Sequence, residues 1–246
     1  CSGMIEFGDS RFHCWKKDGH GWLNMIDAIE QSCDVYLYEL AKRVGIKRIG
    51  EMAARFGFGE AFNFGLPGEN RGLIPTPAWK RKTFGQAWHA GETLITSIGQ
   101  GFILCTPLQL AVMTSRLVNG GRPVLPRLVK NERAEIQKRK SLQLSPQHLH
   151  TVLKGMDKVV NGSQGTARKV VDQSMKFQFG GKSGSVQVKR ISLDERESGK
   201  LKNKDRPWHE RDHAMFVAFA PLKSPRYVVS VVVEHGGGGS TMAAPI

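Results

Sequence analysis

No stretch of the chain carries the roughly 18 to 20 consecutive apolar residues of a membrane helix, so no span is read within it. A signal peptide's charged and then apolar opening is also missing. That absence carries no address, because the chain starts at Cys1, ends on AAPI, and is expected to be a piece of a longer protein. Acidic residues are scarce beside basic ones, with 22 Asp and Glu against 36 Lys and Arg and a net charge of +14. Such an excess marks a nucleic-acid binder, a protein working at an anionic surface, or a merely basic domain. No helix gathers the cations on one face, no aromatic platform interleaves them, and no nucleic-acid motif is present. Nucleic acid is therefore not expected as a partner, and an anionic polymer or acidic membrane face suits the charge at least as well.

What is present suffices for a folded domain. At 246 residues, with 40% hydrophobic and 24% charged, the chain is not disordered and can bury a substantial core. Apolar residues Ile26, Ile29, Cys33, Leu37, Leu40 and Val44 recur at helical spacing, with Gly45 as a stop and Ser32, Cys33 and Asp34 loosening the middle. A second short helix fits Lys47 to Phe56, closed by Gly57. Residues 57–92 are rich in glycine, proline and aromatics and predict a long irregular segment. Thr106 and Pro107 open a helix that Gly120 and Gly121 close, and Ser145 and Pro146 open another that Asn161 and Gly162 close. Strands then follow at Met175 to Val188, MFVAFA and YVVSVVVE. Helices first and a three-stranded meander last predict an α+β domain.

The stretch FQFGGKSGSVQVKR (177–190) is unusual for a strand. Ordered strands favour branched and aromatic residues, and glycine within one signals a bulge or something approaching the backbone closely. Here Lys182, Ser183, Gly184 and Ser185 occupy its centre. A lysine beside a hydroxyl offers a cation and a donor to a carboxylate, while Gly184 leaves the strand edge open to an extended ligand.

SCD at 32–34 and KSG at 182–184 resemble, in order, the second and third motifs of the penicillin-recognising serine transpeptidases and β-lactamases, whose set is S-x-x-K, S-x-N and K-[TS]-G. Longer stretches, GHGWLN, SCDVYLYELAKRVGI, IGQGFILCTPLQLAVM, NGSQGTA and RDHAMFVAFAP, are similar to the class B transpeptidases of cell elongation. The resemblance covers nearly the whole chain. It implies the C-terminal portion of a transpeptidase domain over 1–246, with an antiparallel sheet flanked by helices and a helical subdomain beside it. The implied activity is cross-linking of peptidoglycan stem peptides through a serine acyl-enzyme, with acylation by β-lactam antibiotics. The implied setting is the periplasm, anchored to the inner membrane, with glycan strands and membrane proteins of the elongation machinery as partners. A β-lactamase or β-lactam sensor shares the motifs, and a non-catalytic, zinc-stabilised interaction module is the reading from another class.

By the resemblance, Ser32 and Lys182 are the catalytic residues of this chain, Ser32 relaying a proton toward the leaving amine. Asp34, Ser183, Gly184 and Ser185 bind substrate, with the Ser185 amide as half of an oxyanion hole. Asp34 departs from the motif's usual asparagine, and an ionised aspartate cannot donate the amide hydrogen bond, so it is expected to pair with Lys182 or another cation instead. No serine in the chain is followed three positions later by lysine. The acylating serine is thus expected before Cys1, and the chain by itself is expected to be inactive.

Cys1, Cys14, His20 and Cys33 are separated by 13, 6 and 13 positions, too wide for a zinc-finger knuckle. Three thiols and an imidazole still make a closed tetrahedral set for structural zinc, and some members of the transpeptidase subfamily carry zinc beside the second motif. His13 competes with His20 for the fourth place. A disulfide and free buried thiols stay open as alternatives. Zinc is not required for the chemistry. Cys105, in an apolar run, is expected to be packing, and the tryptophans to be core, rim, or a glycan-facing surface.

Overall fold

A computed structural model gives the fold and describes residues 1–129, 140–171, 177–189, 191, 195 and 203–246. It divides into two compact units, Cys1–Gly155 and Met156–Ile246. The first unit opens with a hairpin of β1 (Met4–Phe7) and β2 (Ser10–His13), paired Met4 to His13 through Phe7 to Ser10. Helices follow: α1 (Met25–Glu30), α2 (Asp34–Phe56), α3 (Pro77–Phe84), α4 (Ala90–Ser97) and α5 (Pro107–Val118). Helix α6 (Pro146–Asn161) carries the chain from one unit into the other.

The predicted 24–44 helix is two helices. It breaks at Gln31 to Cys33, where the sequence placed its loosening, and Asp34 starts α2. The expected stop at Gly45 is a break within α2, at φ 78° and ψ 155°, a conformation open to glycine and strained for other residues. Beyond it the helix runs on to Phe56 and ends on Gly57 in the left-handed region, as expected.

The segment expected to be irregular over 57–92 holds all of α3 and the start of α4. Its helix signal was local: Thr76 accepts from the Trp79 amide at 3.1 Å and Pro77 takes the first turn, the same opening as at Thr106 and Pro107. The non-helical part is held by Gln109, fully buried in α5. Its Nε2 donates to the carbonyls of Glu60 (3.0 Å) and Arg71 (2.8 Å), and its Oε1 accepts from the Thr106 amide (3.0 Å). One buried side chain thereby supplies backbone partners to a segment with few of its own. Cys105 is exposed, not packed as expected; it stands just before Thr106, the N-cap of α5, and so on no face of that helix.

The core beside the hairpin comprises Cys14, Ala28, Cys33, Val35, Tyr38 and Leu94, with Phe12 edge-on to Tyr38 at 5.8 Å. It joins β2, α1, α2 and α4 around the S-C-D tripeptide.

The second unit is built on a three-stranded antiparallel sheet ordered β3 (Gly180–Val186), β4 (His213–Ala220), β5 (Tyr227–Val233), the meander expected. Residues 175 and 176 of the predicted first strand, and residues 190, 192–194 and 196–202 of the connection from β3 to β4, lie outside the described residues. Central β4 is the most buried strand, with Ala214, Phe216, Val217 and Phe219 in the core. The Asn161 amide at the end of α6 donates to Phe179 O at 2.9 Å, which fixes the start of β3.

Candidate active site

Lys182, Ser183, Gly184 and Ser185 fall in the middle of β3, opposite Val217, Phe216, Met215 and Ala214 of β4. Side chains alternate along a strand, so Lys182 and Gly184 share one face and Ser183 and Ser185 the other. As β3 is an outer strand among the described residues, half of its amides and carbonyls point away from β4. Lys182 Nζ donates to the Ser183 carbonyl at 3.0 Å, Ser183 Oγ lies 3.3 Å from Thr166 Oγ1, and Ser185 Oγ accepts from the Gly239 amide at 3.3 Å. Gly239 opens a short π-helical turn, Gly239–Ala243, laid against the sheet. A Cβ there would come 2.2 Å from the carbonyl oxygens of Gly184 and Met215.

The glycines of β3 have two different causes. A Cβ on Gly180 would strike the Phe219 ring at 2.6 Å, and one on Gly181 would meet Val217 O at 2.5 Å and the Phe216 ring at 2.7 Å. Both are required by packing. On Gly184 a Cβ would meet Met215 Cβ at 3.5 Å, an ordinary contact. Neither packing nor backbone conformation demands glycine there, which leaves close approach from outside as its physical reason.

Ser32 sits in the first unit at the junction of α1 and α2. Its amide donates to Ile29 O (3.3 Å) and that of Cys33 to Ala28 O (2.9 Å), the paired bonds that close a helix when the residue between adopts the left-handed conformation. Ser32 has φ 53°. Glycine is the ordinary occupant of that position, and a serine there costs on the order of 1 kcal/mol or more. A strained residue kept where glycine fits better is evidence for work done by its side chain. Two residues on, Asp34 Oδ2 accepts the Trp15 amide at 2.9 Å.

Cys1, Cys14, His20 and Cys33 converge beside this junction, their ligand atoms all within 4.8 Å of one another; His13 is outside the set. Cys1 Sγ and Cys14 Sγ each lie 3.5 Å from His20 Nδ1. Tetrahedral zinc with bonds of about 2.3 Å to sulfur and 2.0–2.1 Å to nitrogen sets that separation at about 3.6 Å. All four cysteines of the chain are free thiols, with Cys14 and Cys33 buried. A hydrogen bond from the Cys33 thiol brings the Cys14 thiol down to about 4, helped by the amides of Lys16, Asp34 and Val35 and opposed by burial. The same bond, with burial, drives Cys33 upward, so the pair holds one proton on Cys33.

The penicillin binding protein transpeptidase domain family matches residues 1–246, the whole chain. The chain belongs to this family. Among curated relatives, the peptidoglycan D,D-transpeptidase MrdA of Haemophilus influenzae is 38% identical over 99% of the chain, and its namesake in Acinetobacter baumannii 35% identical over 97%. The chain spans 38% and 36% of their lengths. Among solved structures, the complex between PBP2 and MreC of Helicobacter pylori has a TM-score of 0.85 at 34% identity, covering 99% of this chain and 42% of that one. Pseudomonas aeruginosa PBP2 in complex with WCK 5153 has a TM-score of 0.84 at 38% identity, covering 99% and 50%. The mixed helical and antiparallel-sheet architecture of this transpeptidase domain agrees with theirs.

Three residues of the transpeptidase domain's two motif regions escaped sequence reasoning: Trp15, Thr166 and Gly239. Thr166 lies in NGSQGTA, a stretch already singled out, but its partner became visible only with β3 in place. Gly239 sits in a run of four glycines that carries no positional signal of its own. Trp15 is a surface tryptophan whose contacts all run to residues 16 or more positions away, beyond any local pattern, except for His20.

Proposed function

We propose that the chain is the C-terminal portion of a peptidoglycan D,D-transpeptidase domain, which cross-links stem peptides through a serine acyl-enzyme and is acylated by β-lactams. The observation that carries this reading is β3: a K-S-G-S strand at a sheet edge whose third residue is glycine without an internal reason. The relatives named as D,D-transpeptidases support it.

In this reading the acyl donor lies along β3 as an added strand, held by backbone hydrogen bonds. Lys182 and the hydroxyl of Ser183 receive its terminal carboxylate, Gly184 admits it, and the Ser185 amide faces the developing oxyanion. Ser32 passes a proton to the leaving amine, and Asp34, through its contact with the Trp15 amide, orders the start of α2 beside the substrate. The acylating serine and its lysine belong to the part of the longer enzyme outside residues 1–246. Peptidoglycan strands, β-lactam antibiotics and membrane proteins of the elongation machinery are the partners, and the domain works in the periplasm from an inner-membrane anchor.

Zinc is the metal that suits Cys1, Cys14, His20 and Cys33, on the grounds of donor set and separation. Bound there it supplies structural cross-linking and no step of the chemistry. Its effect on the site runs through Cys33, which lies between Ser32 and Asp34.

The reading is tested with the longer enzyme that contains this chain. Incubation with a fluorescent penicillin should yield a covalent adduct that a D-alanyl-D-alanine peptide slows, and lipid-linked peptidoglycan should become cross-linked. Adduct formation followed by rapid turnover would make the protein a β-lactamase instead. No adduct would leave the non-catalytic reading.

A further inference from the structure

We infer that Trp15 is a positioning residue for the proton relay: its indole N–H sets the direction of the Ser32 side chain. The inference rests on the role proposed for Ser32. Trp15 Nε1 donates to the Ser32 carbonyl at 2.9 Å and to the Gln31 carbonyl at 3.0 Å. These carbonyls belong to the two peptide planes that flank Ser32. A peptide unit is rigid, so anchoring the oxygen on each side restrains φ and ψ of the residue between them, and with them the direction of its Cα–Cβ bond. That restraint matters because φ 53° is an unfavourable conformation for serine: the amides of the same two planes donate to Ile29 O and Ala28 O, and the indole holds their opposite, carbonyl sides. The backbone of the same tryptophan holds the second residue of the pair, its amide donating to Asp34 Oδ2 at 2.9 Å.

A packing role does not account for the residue. Trp15 is 59% exposed, so little apolar area depends on it, and among the described residues its one ring contact is edge-on to His20, with centroids 5.3 Å apart. The two carbonyls follow the last turn of α1, where a helix leaves its oxygens without intrahelical donors. Water would satisfy them equally well, but would not fix their direction. An indole on a separate segment does, because its own position is pinned by the neighbouring Cys14 amide, which donates to Gly3 O at 2.7 Å.

The test uses the longer enzyme with Trp15→Phe, which keeps a ring and the backbone amide but removes the indole N–H, and with benzothienylalanine at position 15, which replaces that N–H by sulfur at nearly constant shape. Penicillin acylation is resolved into non-covalent affinity and acylation rate constant. The expected result in both variants is a rate constant about tenfold lower, with affinity changed by less than about twofold, the signature of a lost contribution in the transition state alone. Metal content and melting temperature should stay with the parent. Should Trp15→Phe lose metal or fold, the isosteric variant decides. An unchanged rate constant there, or a change confined to affinity, overturns the inference. Ser32→Ala is measured in parallel: if it acylates normally, the relay role of Ser32 fails, whereas a slow Ser32→Ala beside a normal isosteric variant removes Trp15 alone.

Discussion

Gly184 faces Met215 across the β3–β4 pair, and a Cβ added to it would stop 3.5 Å from the methionine Cβ, at ordinary van der Waals distance. Three residues earlier, Gly181 has no such room. The two glycines therefore separate function from folding. Gly184→Ala should melt within about 1 kcal/mol of the parent and lose most of its penicillin acylation, because the new methyl occupies space meant for the ligand. Gly181→Ala should lose about 1–3 kcal/mol of stability by overpacking against Phe216 and the Val217 carbonyl. Thermal melts and acylation rates on both variants check this, and normal acylation of Gly184→Ala would remove β3 as the docking strand.

Lys182 is half-buried, and its Nζ donates to the carbonyl of the residue next to it. Lys182→Ala should thus change stability by less than about 1 kcal/mol while lowering acylation by about 100-fold or more, the scale of one lost electrostatic donor in acyl transfer. Acylation rates of purified variants, with melting curves alongside, give both numbers.

Much of the fold was legible because its signals were local. Thr106–Pro107, Ser145–Pro146, Gly45 and Gly57 each carry their own backbone instruction, and β4 and β5 are plain runs of apolar and branched residues. Helix α3 has the same threonine–proline opening but lies among glycines, prolines and aromatics, and its neighbours masked it. The β1–β2 hairpin has four-residue strands, too short for alternation to stand out. At the candidate site, the motif residues could be read from order and spacing. The partners of Ser183 and Ser185 could not, since Thr166 and Gly239 meet them only through tertiary folding. Gly180, Gly181 and Gly184 look alike in sequence, and the rings of Phe216 and Phe219 with the Val217 carbonyl tell them apart.

Lys80 is 2% exposed and pairs with Glu92, which also accepts the His89 amide at 2.8 Å to start α4. Breaking a buried pair leaves an uncompensated charge, so Glu92→Ala should destabilise by about 3–5 kcal/mol, and Lys80→Met combined with Glu92→Leu should recover much of that loss. Denaturant unfolding of the single and double variants gives the coupling. A cost below about 1 kcal/mol for Glu92→Ala would mean that water reaches the Lys80 ammonium.

Residues 1–246 contain both motif regions and no S-x-x-K. Incubated alone with a penicillin, the chain should show no mass increase and no nitrocefin hydrolysis, because no activated serine is present to open the lactam. Intact-mass spectrometry is the direct measurement. A stable adduct mapped to any serine in the chain would relocate the nucleophile and undo the division of roles proposed above.

The cysteine cluster gives a prediction with a definite pH direction. With its thiol drawn down to about 4, Cys14 is already a thiolate at neutral pH, while Cys33, pushed upward, keeps the proton they share. Without metal the two shifts act oppositely: the Cys14 contribution to stability is present above the ordinary thiol range and fades as pH falls toward about 4, whereas that of Cys33 is lost as pH rises. Zinc requires both as thiolates, so binding must expel the Cys33 proton, and acid must expel the metal. Protein purified without added metal should therefore hold about one zinc per chain near neutral pH and release it progressively on acidification. Calorimetry in buffers of different ionisation enthalpy should show proton release on zinc binding, smaller in Cys33→Ser than in the parent. Structural zinc contributes on the order of 10 kcal/mol in small sites, so chelation should lower the melting temperature and loosen Gln31 to Asp34 in hydrogen exchange, leaving β3 protected. Metal-free protein with a Cys14–Cys33 disulfide in its peptide map would replace the ion with a covalent staple at the same junction.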